Sequence, residues 1–115
     1  MTPLDNFYMK QEEPIKSCFL ALKQIILMQH NDITNVWKYG GSFFALNGKA
    51  FCYLWVHKKL QQPYIGFMKG YAMTNPNLLS EKRTQIKIML FDTNNDLPIT
   101  EIKNAITEAI ELCKK

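Results

Sequence analysis

Apolar residues follow a helical period near both ends of the chain and a strand period in its middle. After Pro14 they recur every three or four residues, which predicts a long helix with one buried face that ends before Asn31. After Pro98 the same period predicts a second long helix. Thr2-Pro3-Leu4-Asp5 combines a capping hydroxyl, a proline suited to the first helical position and an acid, so we expect a short helix through Met9.

The period changes to two after Thr34, where β-branched and aromatic residues dominate. We expect five strands, at Val36–Tyr39, Phe43–Leu46, Lys49–His57, Tyr64–Lys69 and Gln85–Phe91. Asn47-Gly48 should turn the second strand into the third, because both residues tolerate the positive φ of a type I′ turn. The order of elements predicts one α+β domain over residues 1–115, with an antiparallel sheet whose N- and C-terminal helices pack on one face.

Alternation along the third predicted strand separates two kinds of side chain. Small or aliphatic residues, from Ala50 to Val56, are expected to face the helices, and Lys49, Phe51, Tyr53, Trp55 and His57 are expected to face the other way. An aromatic sheet face with a basic rim can stack planar groups and hold anions. The candidate ligand-binding residues are Trp37, Lys38, Tyr39, Lys49, Tyr53, Trp55, His57, Lys58, Tyr64 and Lys87. The alternative is that a loop, the first short helix or a second subunit covers this face.

Positive charge is concentrated in the middle of the chain. The net charge is +4, but residues 33–91 carry eight bases and one acid, which gives this segment +7. Such a surface attracts an anionic small molecule, a nucleic acid or an acidic partner. The alternative is that the lysines only protect the sheet edges and keep the domain soluble.

No motif of a catalytic, cofactor or metal site is found in the sequence, so we expect neither an enzyme nor a bound cofactor. Glu101, Glu108 and Glu111 lie on one side of the last predicted helix, where solvated carboxylates are common, although hard cations bind such oxygens. The three cysteines are widely spaced, and we find neither a signal peptide nor an apolar stretch of membrane-spanning length. Together these features predict a cytosolic protein without membrane contact.

Six short blocks of the sequence resemble those of a known family: Trp37-Lys38-Tyr39-Gly40, Phe43-Phe44, Gly48-Lys49, Cys52-Tyr53, His57-Lys58-Lys59 and Tyr64-Ile65-Gly66-Phe67. The family that they resemble is the YdhG-like family, whose domains have no known function. Gly41-Ser42 departs from the family, whose members commonly have a proline just before the phenylalanine pair. The resemblance implies an α+β fold with the terminal helices on one side of a sheet. It implies no established reaction, although some members are described as frataxin-like iron chaperones.

An enzyme could use His57 as acid or base and Lys49 as an electrophile, but the sequence shows no nucleophile with a positioned base. Besides this alternative, the residues and the resemblance together leave three functions open. The first is a binding module whose aromatic and basic sheet face holds an anionic ligand or partner. The second is a frataxin-like iron chaperone, which would draw on the carboxylates of the helices. The third is an interaction protein that forms a homodimer through the aromatic face, so that both a monomer and a homodimer are compatible with the sequence.

Overall fold

A computed structural model describes residues 2–114. Its three α-helices and five strands are α1 (Pro3–Met9), α2 (Ile15–Leu27), β1 (Ile33–Lys38), β2 (Gly41–Leu46), β3 (Lys49–Val56), β4 (Pro63–Phe67), β5 (Lys87–Leu90) and α3 (Ile99–Cys113), and a short 3-10 helix (Gly70–Ala72) lies between β4 and β5. All strands are antiparallel and pair in chain order. The helices pack on one face of this sheet, which confirms the predicted α+β fold class.

Local sequence explains where α1 begins. The Thr2 hydroxyl accepts a hydrogen bond from the Asp5 backbone N–H at 3.1 Å, and the Asp5 carboxylate accepts one from the Thr2 N–H. This reciprocal capping box satisfies N–H groups that have no partner inside a helix. It is placed where the sequence predicts the helix start.

The core fills the space between the helices and one sheet face. Phe19 from α2, Ile106 from α3, and Phe44 and Phe67 from the sheet have no exposed surface. The same core contains Tyr8, whose hydroxyl lies 2.7 Å from the Ser42 hydroxyl and donates to the Asn35 side-chain oxygen at 2.8 Å. Burial is the main reason that the pKa of Tyr8 is raised to about 12. This tyrosine fixes α1 to the sheet through polar as well as apolar contacts.

A β-bulge in β3 overturns part of the predicted face assignment. Phe44 pairs with Cys52 and the next residue of β2, Ala45, pairs with Ala50, so Phe51 is an extra residue. Phe51 and Cys52 therefore both lie in the helix-side core, and strict alternation fails at this point. Lys49, paired with the core residue Leu46, also belongs to the helix side, so its prediction as part of the aromatic face was wrong.

The pairing of β5 also places Lys87 away from the aromatic face. Met89 lies in the helix-side core, whereas Ile88 pairs with Gly66 on the opposite face. Ile88 is buried there, and its backbone forms a bridge with Leu79 along the outer edge of the strand. Lys87 shares the face of Met89 and donates a hydrogen bond to the Met73 carbonyl, so it too was wrongly placed on the aromatic face.

The observed strand ends differ from the predicted ones by a few residues. β1 begins at Ile33 and ends before Tyr39, because Tyr39 and Gly40 have positive φ and form the turn into β2. Asn47 and Gly48 also have positive φ and connect β2 to β3, which confirms the predicted hairpin. Among the residues described, no helix is both long and apolar enough to cross a membrane.

Candidate functional site

Aromatic rings form a continuous row on the sheet face opposite the helices. The rings of Phe43 and Tyr53 are stacked with centroids 5.0 Å apart, and Tyr39 meets Phe43 edge to face at 5.4 Å. Tyr64 continues the row from Tyr53 at 6.0 Å, and His57 lies 6.4 Å beyond it. We call this surface the open face.

A glycine makes room for the centre of the row. Gly66 is the cross-strand partner of Tyr53, and a Cβ at Gly66 would lie 2.2 Å from the ring carbon Cζ of Tyr53. The phenol ring therefore lies flat over β4 at the one position without a side chain. Burial and the neighbouring Tyr64 raise the pKa of Tyr53, so its hydroxyl stays neutral at physiological pH.

A cleft of about 570 Å³ opens at one end of the open face. Its aromatic and apolar wall consists of Trp55, Val56 and Tyr64, and His57 and Glu81 also line it. Its basic lining consists of Lys58, Lys59, Lys82 and Arg83. Four cationic side chains thus surround one carboxylate, and we call this site the basic cleft.

The turn Ser80–Arg83 forms the outer wall of the basic cleft. Glu81 and Lys82 have φ of 48° and 69°, and the Arg83 N–H donates to the Ser80 carbonyl at 2.9 Å. Two successive positive φ values at non-glycine residues are costly, about 1 kcal/mol or more each. The turn places the Arg83 guanidinium carbon 5.9 Å from the centroid of Tyr64.

Side-chain bonds hold this turn in place. One oxygen of Glu81, Oε1, accepts from Arg83 at 3.0 Å and lies 2.9 Å from Nε2 of His57. The hydrogen bond from Arg83, and then that from His57, lower the pKa of Glu81. Partial burial disfavours the charge on Arg83, but its bond to Glu81 and the nearby Tyr64 and Tyr53 together outweigh this and raise its pKa. Arg83 is therefore a fixed cation.

Protein partners engage both ring nitrogens of His57. Nδ1 accepts from the backbone N–H groups of Lys59 and Leu60 at 3.2 and 3.1 Å. Nε2 therefore carries the proton and donates to Glu81. The imidazole connects the loop after β3 to the Ser80–Arg83 turn, and its side chain is only 12% exposed.

Most of the predicted ligand-binding residues lie on or beside the open face. Tyr39, Tyr53, Trp55 and Tyr64 line a groove beside the basic cleft, which itself contains His57 and Lys58. Lys38 stands 5.2 Å from the Tyr39 ring.

Three predicted residues lie elsewhere. Trp37 pairs with Ser42 and faces the helix side, where its ring is 6.3 Å from that of Phe7. Lys49 lines a separate small pocket of about 80 Å³ beside Phe51. Lys87 is bonded to a backbone carbonyl on the helix side, as described above.

The residues of the Ser80–Arg83 turn were not predicted from the sequence as part of the site. Glu81, Lys82 and Arg83 fall in a segment that has no hydrophobic period, and neither glycine nor proline marks the turn. The only available signal was the local cluster Glu81-Lys82-Arg83, which cannot indicate which strand it will contact.

The three glutamates of α3 do not form one site. Glu108 accepts hydrogen bonds from the Thr74 N–H, the Thr74 hydroxyl and the Asn75 N–H. These bonds anchor the loop that contains Thr74 and Asn75 to α3. Partial burial opposes its charge, but these bonds outweigh burial and lower its pKa. Glu111 is paired with Lys114 at 3.8 Å, and Glu101 lies in the first turn of the helix. Within residues 2–114 no three His, Cys, Asp or Glu side chains come together as a metal site.

Comparisons of the chain with family models, curated proteins and solved structures find no match. The resemblance to the YdhG-like family, and the iron-chaperone function associated with some of its members, therefore stay predictions.

Proposed function

We propose that the protein is a non-enzymatic binding module that holds an anionic group, such as a phosphate, in the basic cleft. The observation that carries this proposal is the Ser80–Arg83 turn. Its unfavourable backbone is held by His57 and Glu81 in the position that sets Lys82 and Arg83 beside Tyr64. Backbone conformations of this cost persist where the surrounding structure enforces them, and they cluster at ligand-binding sites.

The charges of the basic cleft favour an anion. Its one carboxylate, Glu81, is already engaged by Arg83 and His57. In the described part of the chain, no carboxylate lies within salt-bridge distance of Lys58, Lys59 or Lys82. These three ammonium groups are solvated and able to contact a ligand. Their common sign raises the local concentration of anions and steers them into the cleft.

Arg83 gives the site its geometry. A planar guanidinium matches the oxygens of a phosphate or carboxylate through two parallel hydrogen bonds, which a lysine cannot provide. Glu81 fixes the guanidinium through one donor, Nη1. Nη1 also donates to the Ser80 carbonyl at 3.4 Å, so the N–H groups of Nη2 and Nε are the donors that we assign to the ligand. The arrangement suits binding rather than catalysis. Both ring nitrogens of His57 already have hydrogen-bond partners, and we identify no nucleophile in the cleft.

All three cysteines are free thiols, two of them buried. Free thiols suit a reducing compartment, and we place the protein in the cytosol on this ground. Cell fractionation with a tagged full-length chain tests this assignment, and recovery with the secreted fraction would contradict it.

The binding proposal is tested with inorganic pyrophosphate as the probe. We expect amide NMR shifts at Lys58, Lys82 and Arg83, and affinity that falls as salt is added. Lys58→Ala and Lys82→Ala should each weaken binding about two- to fivefold, which is the range of an exposed charge pair. The matched control is Lys103→Ala, an exposed lysine on α3 outside the cleft. Equal loss in the control, or no loss in either cleft variant, would refute the proposal.

A further inference from the structure

A second concave surface adjoins the basic cleft. It is a groove of about 240 Å³ on the open face, and we call it the aromatic groove. Its lining residues are Tyr39, Gly41, Phe43, Tyr53, Trp55 and Tyr64. Phe43 and Tyr64 are buried, whereas Tyr39 and Trp55 are 77% and 44% exposed. The Trp55 ring is also stacked on Phe7, with centroids 6.0 Å apart. The groove thus offers a ligand the Tyr39 ring and the remaining surface of Trp55.

Gly41 keeps this groove open. A Cβ at Gly41 would be in ordinary contact with Phe43 at 3.5 Å and with Trp55 at 3.7 Å. A larger side chain at this position would occupy the space between the rings. A larger side chain at position 41 can therefore fill the groove, and the backbone φ there is not one that favours glycine.

The groove and the basic cleft share two residues, Trp55 and Tyr64. Tyr53 of the groove is 6.0 Å from Tyr64, ring to ring, and the Arg83 guanidinium carbon is 5.9 Å from the same Tyr64 ring. A planar group in the groove and an anion beside Arg83 would thus be separated by one tyrosine ring. One ligand that carries both groups can occupy both surfaces.

From this juxtaposition we infer that the ligand is a nucleotide, with its base stacked in the aromatic groove and its phosphate held in the basic cleft. The inference rests on the proposed anion-binding function and specifies the ligand. Every nucleobase presents a π-face, so stacking on tyrosine and tryptophan needs no particular base sequence. The hydroxyl of Tyr53 stays neutral, which keeps negative charge away from the phosphate.

The nucleotide could be free or part of a single strand. A further surface of about 350 Å³ continues past Trp55 on the other side and includes Lys10 and Lys58. It would provide room and charge for a neighbouring nucleotide. Oligonucleotides of increasing length separate the two sources.

The experiment measures binding of four probes to the full chain: inorganic pyrophosphate, ribose 5-phosphate, adenosine 5′-monophosphate and adenosine. We expect the nucleotide to bind about tenfold more tightly than ribose 5-phosphate because of base stacking. Tyr39→Ala should remove most of this preference and leave pyrophosphate binding unchanged. Gly41→Leu, which fills the groove, should do the same. Tyr71→Ala, an aromatic residue 61% exposed outside the groove, is the control.

The outcomes separate the two proposals. If pyrophosphate binds and the nucleotide gains nothing over ribose 5-phosphate, the nucleotide inference is wrong and the anion-binding function stands. If no phosphate probe binds, both fail. With the inference supported, oligoadenylates of one to four residues identify the source: constant affinity indicates a free nucleotide, and affinity that rises with length indicates a single strand.

Discussion

Replacing Gly66 with alanine is expected to force the Tyr53 ring away from its position over β4. The new methyl carbon would lie 2.2, 2.4 and 2.6 Å from Cζ, Cε1 and Oη of Tyr53. Favourable carbon contacts are about 3.5–4.0 Å, so three atoms of the ring overlap the methyl group. The ring cannot simply swing aside, because Phe43 is stacked on it and Tyr64 abuts it.

The size of the effect follows from two opposing terms. Overpacking of this kind costs about 1–3 kcal/mol. Alanine in a strand would otherwise gain about 0.5–1 kcal/mol over glycine, because glycine loses more backbone entropy on folding. The midpoints of these two ranges give a destabilisation of about 1 kcal/mol for Gly66→Ala, and their extremes span about 0–2.5 kcal/mol. Each kcal/mol corresponds to a fall of about 4 °C in Tm.

Urea denaturation, followed by circular dichroism, measures this change and its cause. In a Tyr53→Ala background the overlap is gone, so Gly66→Ala should become neutral or slightly stabilising. Gly41→Ala is a matched control on the same face, since its Cβ meets neighbours only at 3.5 Å or more. If Gly66→Ala is tolerated as well as Gly41→Ala, or if the Tyr53–Gly66 coupling energy is below about 0.5 kcal/mol, the Tyr53 ring does not exclude a side chain at position 66.

Three further predictions concern buried or hydrogen-bonded groups. Tyr8→Phe removes the hydroxyl that bonds fully buried Ser42, and urea denaturation should show a loss of about 1–2 kcal/mol, with no loss contradicting the bond's role. Glu108 has a folded pKa below its usual 4.5, so its stabilising effect is present above that value and disappears as pH falls through the folded pKa. The stability gap between wild type and Glu108→Gln should thus be larger at pH 7 than at pH 3, and an equal gap at both would show that the Thr74 contact does not depend on charge. Cys52 is fully buried, which raises its pKa, so a thiol reagent should modify it only at the rate of unfolding, and rapid native-state labelling would contradict its burial.

The sequence was sufficient for the fold class because its periodic signals are local. The helical stripe of α3 and the Asn47-Gly48 hairpin are determined by residues close in the chain, and both are found where they were predicted. The same is true of the Thr2 cap. Strand ends were less accurate, because Tyr39 takes a turn conformation that its residue type does not favour.

The candidate site was only partly predictable, for two physical reasons. A bulge moves the rest of a strand to a new alternation, and nothing in the local sequence marks Phe51 as the extra residue. Lys49 was consequently assigned to the wrong face. The contribution of Arg83 depends on a long-range contact with Tyr64, which only the folded chain establishes.

The sequential order of the strands has a consequence for folding kinetics. Each strand pairs with the one made just before it, and β1 to β4 assemble by closing short loops, whose entropic cost is small, whereas residues 68–86 separate β4 from β5. The contact of α3 with β3 instead joins distant parts of the chain and closes later, because folding slows as contacts become less local. Until α3 docks, the part of the apolar side of the sheet that it covers is exposed to solvent. During that interval the nascent chain is most prone to aggregate, and substitutions that delay α3 docking should lower the yield of folded protein more than its final stability.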